Sequence, residues 1–165
     1  MIVQKLLPSD FVQRRLFYER MLEIIASDDV ILMTSDEAHF HLEVYVNKQN
    51  CRFWASENPR ELHQRPLHTA KFSVWCGISN VGIVGPYFFE EEEGATVTVT
   101  SERYVEMLRN FLRPQLRILL VNMEEMWFQQ DGATAHTARA SMTLVRQMFP
   151  QHVVSRFGNV PWPPR

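Results

Sequence analysis

The chain has 165 residues, 45% of them hydrophobic and 22% charged, with a formal net charge of −2. That length suits one ordinary globular domain and is short for two, so a single domain spanning residues 1–165 is expected. The slightly acidic balance excludes a protein that grips nucleic acid through an overall basic footprint; any affinity for DNA must be local, assisted by metal, or supplied by another part of a larger protein.

In chain order, Met1 to Leu7 is an apolar cluster that Pro8-Ser9-Asp10 cuts off before a signal-peptide core could form. Ser9 or Asp10 is expected to cap a helix carrying Phe11, Leu16, Phe17, Met21, Ile24 and Ile25 on its apolar side and ending near Ser27-Asp28-Asp29. A strand from Leu32 to Leu42 follows, then a turn at Asn47-Lys48-Gln49-Asn50, a strand from Cys51 to Ala55 and a loop from Asn58 to Thr69. Phe72, Val74 and Cys76 alternate with Ser73 and Trp75 as a further strand, and Val81 to Phe89 reads as another, broken at Gly85-Pro86. Successive strands with short links predict an antiparallel meander. Glu90 to Glu93 are unspaced like charges, which repel and stay hydrated, so a solvated loop is expected rather than a metal site. Ser101 is expected to cap a helix through Tyr104, Val105, Leu108, Phe111 and Leu112, ending before Pro114 unless Leu116 to Val121 prolong it.

The last third begins with Trp127-Phe128 and reaches Asp131-Gly132, after which Ala138, Met142, Val145 and Phe149 recur at helical spacing. Asp-Gly is often a hairpin turn, but a hairpin needs a second strand directly afterwards. The helical stripe favours strand, short loop, helix, which puts Asp131 at the carboxyl end of a strand, where open α/β sheets bind ligands. Cys51 and Cys76 lack CxxC spacing, so free thiols in a reducing compartment inside the cell are expected. No apolar run approaches the roughly 20 residues needed to span a bilayer, and no membrane partner is expected.

A second acid is conspicuous in the motif Thr34-Ser35-Asp36-Glu37-Ala38-His39-Phe40-His41. Alternation along a strand gives one row of Leu32, Thr34, Asp36, Ala38, Phe40 and Leu42, and another of Met33, Ser35, Glu37, His39, His41 and Glu43. Asp36 is the only ionisable side chain in the more apolar row, and an isolated carboxylate buried there would have to be neutral, paired or bound to a cation. The other row is expected to face solvent or a cleft over its second half.

These two motifs, Ser35-Asp36-Glu37-Ala38-His39-Phe40 and Gln130-Asp131-Gly132-Ala133-Thr134-Ala135-His136, resemble those of the catalytic domain of mariner-type transposases, in the superfamily whose site is a triad of acids. Val74-Trp75-Cys76-Gly77-Ile78, Ser101 to Leu108 and Trp162-Pro163-Pro164-Arg165 extend the likeness in order and approximate spacing over almost the whole chain. The resemblance implies an α/β, ribonuclease H-like mixed sheet flanked by helices and incomplete at its C-terminus, with the first acid on the first strand and the second on the fourth. It carries catalytic and metal-ligating roles to Asp36 and Asp131 only. The third acid of the family would lie beyond Arg165, and the basic helix-turn-helix region would precede this chain.

The activity so implied is DNA transposition: strand cleavage by water and strand transfer by a freed 3′-hydroxyl, with Mg²⁺ or Mn²⁺ as cofactor. Partners would be the DNA of the transposon ends and target, with a homodimer in keeping with the family, in the nucleus of a eukaryote. Two-metal phosphoryl transfer holds cations roughly 3.5–4 Å apart on hard oxygen ligands. Two acids alone could bridge one cation, so weak metal binding and weakened or absent catalysis are expected. The alternative is a catalytically inactive remnant that serves as a nucleic-acid or protein interaction module. His39 and His41, with Glu43, also mimic the imidazole–carboxylate set of an iron or zinc enzyme, but no later His stands in an equally clear strand motif. His136 reads as a helix-start residue or as a partner to a ligand.

Overall fold

In the computed structural model, which describes residues 7–27, 29–41, 71–90, 97–119 and 122–163, the strands are β1 (Leu32–His41), β2 (Lys71–Ser79), β3 (Gly82–Phe89), β4 (Trp127–Gln129), β5 (Val153–Ser155) and β6 (Val160–Pro161). The helices are α1 (Pro8–Ile25), α2 (Ser101–Met107), α3 (Arg113–Ile118), α4 (Thr134–Thr137) and α5 (Arg139–Met148). The strands form one mixed sheet in the order β3-β2-β1-β4-β5-β6. β1, β2 and β3 pair antiparallel as a meander, whereas β1 with β4, β4 with β5 and β5 with β6 are parallel. The expected strand Cys51–Ala55, the loop Asn58–Thr69, Cys51 and Glu91 to Glu93 lie outside the described residues.

Alternation sorts the strands into two faces. Met33, Trp75, Val84, Phe89, Phe128 and Val153 point one way into the main core, against Tyr104, Met107, Leu108, Leu112 and Leu116 from the α2–α3 segment and Met142, Val145 and Met148 from α5. Phe128 stacks on Phe149 at 4.8 Å between ring centroids and 6° between planes. On the other face Leu32, Trp127, Val154 and Val160 meet Phe17, Met21 and Ile24 of α1 together with Trp162. Beyond that small cluster Phe40, Ile78, Ile83 and Phe88 are exposed.

The two rows of β1 are therefore the reverse of expectation. Met33 is fully buried and Ser35 and Glu37 partly so, while Thr34, Asp36, Ala38 and Phe40 are exposed. The long helical segment and α5 cover the Met33 face, and the polar residues in that row find partners there. Asp36 is thus not a buried charge, and the desolvation reasoning that singled it out does not apply to it.

α1 also differs. It begins at Pro8, whose missing N–H costs nothing in a first turn, and Asp10 accepts the Leu7 N–H at 2.7 Å from the third helical position instead of preceding the helix as a cap. Of its expected apolar stripe only Ile24 is buried; Phe11, Leu16 and Ile25 are more than half exposed. α2 is capped by Thr100, whose hydroxyl oxygen accepts from the Arg103 N–H, and not by Ser101. The helix runs on past Pro114, the prolongation that Leu116 to Val121 left open, by way of a π-helical turn at Leu108–Leu112 in which the Arg113 N–H reaches back to the Leu108 carbonyl. That wider turn carries the chain into α3 with Pro114 in its first turn. Gly85, at φ 123°, serves the register shift opposite Cys76; β3 runs through Gly85-Pro86 unbroken, and a Cβ on Gly85 would sit 3.1 Å from the Trp75 carbonyl oxygen. Cys76 is a free thiol.

Candidate metal centre

β1 is ten residues long and β4 only three, so β1 runs on beyond the point where β4 ends. The last β1–β4 partners are Thr34 and Gln129. Two residues beyond these last partners stand Asp36, still within β1, and Asp131, in the segment that follows β4. Both line one cleft of ≈ 580 Å³, together with Ser35, Glu37, Cys76, Gln129 and Trp162. The Asp36 Oδ1 accepts from the Glu37 N–H at 2.9 Å.

Asp131 leaves the sheet in a short loop and is only partly exposed. Its Oδ1 accepts from the Ala133 N–H at 2.8 Å, an Asx-type turn that leads directly into α4. The same oxygen lies 2.7 Å from His136 Nδ1, and His136 Nε2 lies 3.0 Å from Glu37 Oε1. Glu37, the neighbour of Asp36 in β1, points to the opposite face from it and thereby reaches the imidazole. The His136 side chain is 3% exposed. A ring between two carboxylate oxygens can donate to both only in its protonated form. Burial alone would push its pKa down; the hydrogen bonds and charges of Glu37 and Asp131 outweigh that and hold it above the ordinary histidine value.

Around the imidazole lies a buried polar mount. Tyr104, itself fully buried, lies against the His136 ring at 4.3 Å between centroids. Its hydroxyl donates to Gln130 Oε1 at 2.8 Å, and Gln130 Nε2 donates to the His136 carbonyl at 3.1 Å and Ser155 Oγ at 3.2 Å. Burial, with the nearby charges of Glu37 and Asp131, pushes the Tyr104 phenol well above its usual value, so it stays a neutral donor. Ser35 Oγ donates to the Gln129 carbonyl at 3.0 Å, a side-chain tie between β1 and β4 beneath the carboxylates.

Two carboxylates on one cleft supply only hard oxygen donors, which is the chemistry of Mg²⁺ and Mn²⁺ sites. Among the described residues no three His, Cys, Asp or Glu side chains gather as a metal cage. Asp36 and Asp131 therefore fit a hydrated cation that takes its remaining ligands from water or phosphate. His39 Nδ1 pairs with Ser73 Oγ at 2.8 Å, and the His41 side chain and Glu43 lie outside the described residues. Glu37, Tyr104 and Gln130 were missed from the sequence. For Gln130 the alternation of β4 was an available signal, since it shares a row with the core residue Phe128.

No protein-family model matches the chain, and no curated protein matches it. Solved structures do. The Mos1 mariner paired-end complex with Mn aligns over 99% of this chain and 45% of its own, at 20% identity and a TM-score of 0.67. The Mos1 transposase paired-end complex with left transposon end gives 99%, 45%, 16% and 0.66. The catalytic domain of Mos1 mariner transposase aligns over 99% of this chain and 65% of its own, at 17% identity and a TM-score of 0.59. The chain thus spans less than two thirds of each of these proteins, and its fold is the ribonuclease H-like, mixed-sheet fold of the mariner transposase catalytic domain.

Proposed function

We propose that this chain is the catalytic core of a mariner-type transposase, with DNA as its substrate and Asp36 and Asp131 as ligands of Mg²⁺ or Mn²⁺. The observation that supports the proposal is that Asp36 and Asp131, each two residues beyond the last β1–β4 partners, line one cleft. The fold supports it, since Mos1 proteins of this fold have been solved with Mg, with Mn and with a transposon end. A bound cation would supply charge neutralisation and an activated oxygen nucleophile for phosphodiester cleavage. Asp36 and Asp131 would hold that cation against the sheet, and the exposed Asp36 side of the cleft would admit a DNA phosphate. Transposon ends and target DNA as partners, and a homodimer, are part of the same proposal.

The test begins with Mn²⁺ alone, titrated into the protein by calorimetry. Weak binding that disappears in both Asp36→Asn and Asp131→Asn is the expected result; unchanged binding in both variants would defeat the ligand assignment. Nicking of supercoiled plasmid in Mn²⁺ then separates an active core from a second reading, a catalytically inactive remnant acting as an interaction module.

A further inference from the structure

Asp36 and Asp131 are held on separate segments, and the spacing between them must be set by something other than their own backbone pairing, which ends at Thr34 and Gln129. The chain of contacts Glu37–His136–Asp131 bridges the gap at 3.0 and 2.7 Å. Its first member is joined to Asp36 by a single peptide bond, and its last is one of the proposed ligands. We infer that Glu37 and His136 are positioning residues: a strut that fixes the Asp131 carboxylate relative to Asp36 so that one divalent cation can meet both.

Three features set this strut apart from an incidental ion pair. His136 is buried and cannot swing away, because Tyr104 covers one side of its ring and Gln130 holds its carbonyl. Asp131 Oδ1 receives two donors, the Ala133 N–H and the imidazole, at 2.8 and 2.7 Å, which together tether that oxygen. Glu37 stands on the covered face of β1, with its side chain 13% exposed, so its reach to Nε2 does not depend on a mobile surface chain. Outer partners that orient a ligating carboxylate typically matter by about 10–100-fold in metal affinity.

The inference rests on the proposed ligand assignment, and its test uses the protein with Mn²⁺ alone, read by calorimetry and by the electron paramagnetic resonance signal of bound Mn²⁺. Glu37→Leu removes the anchor of the strut, and His136→Asn keeps a donor near Asp131 while losing the reach to Glu37. Each is expected to weaken Mn²⁺ binding by about tenfold or more. Glu37→Gln, which still offers Nε2 a hydrogen-bond partner, should restore affinity to within about threefold of the parent, a recovery that loss of packing alone would not produce. Thermal unfolding without metal reports whether each variant is folded, and Glu37→Gln with His136→Asn decides the matter should Glu37→Leu fail to fold. Parent-like affinity in Glu37→Leu and His136→Asn, with binding lost in Asp131→Asn, would overturn the strut and leave the ligands standing. Parent-like affinity in Asp131→Asn would overturn the ligand assignment itself, and the strut with it.

Discussion

Gln130→Leu removes the polar centre beneath the carboxylates while nearly conserving volume. Gln130 is completely buried, accepts from the Tyr104 hydroxyl at 2.8 Å and donates to the His136 carbonyl and Ser155 Oγ at 3.1 and 3.2 Å. Leucine leaves that hydroxyl and that carbonyl without their partner, at a cost of about 1–3 kcal/mol for each buried orphan. The added apolar burial offsets part of this, so the net loss should be about 3 kcal/mol. For a chain of this length each kcal/mol shifts the midpoint by about 2–4 °C, giving a fall of about 6–12 °C. Urea unfolding of metal-free protein measures it directly. Tyr104→Phe provides the cross-check, because it deletes the hydroxyl that Gln130→Leu orphans, and the double variant should lose about 1–2 kcal/mol less than the sum of the singles. A Gln130→Leu loss under about 1 kcal/mol, or a pair additive to within about 0.5 kcal/mol, would refute the buried-network account.

With metal removed by chelator, His136 predicts the pH dependence of stability. Its pKa is raised in the folded protein, so the native state holds more protons than the unfolded chain between the two values, and stability falls as pH rises through that window. The contribution is full below about pH 6.5 and gone above the raised folded value. His136→Asn should therefore cost most on the acid side, and a parent–variant difference that grows with rising pH would contradict the assignment. At Gly158 an added Cβ would strike the Val153 carbonyl oxygen and lie 2.8 Å from the Ser155 N, so Gly158→Ala must shift the β5–β6 link and should cost about 1–3 kcal/mol. A loss below about 0.5 kcal/mol in the same urea assay would show that the link yields freely.

Much of the architecture could be read from local pattern. The change from strand period to helical spacing after Asp131-Gly132 distinguished a loop from a hairpin, and β4, the loop, α4 and α5 follow that order. Which row of β1 is buried was not legible, because each row mixes polar and apolar residues. Ser35 and Glu37 look like surface residues until Gln129 and His136 are brought to them by a parallel pairing with a strand some ninety residues away. Phe40 looks like core until the covering helices are found on the other side. The apolar residues after Pro114 left a continuation of the helix open, but the π turn that joins the two parts has no signature in the spacing. α1 carries apolar residues around much of its circumference, so its pattern could not say which of them would meet Trp162 and Val160.

Among the described residues Asp36 opens on the sheet face that carries only the smaller α1 cluster, and the main core lies on the reverse side. Thr34, Ala38, Phe40 and Ile78 can accordingly be exchanged with changes in stability mostly within about ±0.5 kcal/mol, whereas their strand neighbours Met33 and Trp75 cannot. Exposure and survival of the fold are thereby assigned to alternate residues of the same strands, which leaves the outward surface free to be remodelled one position at a time.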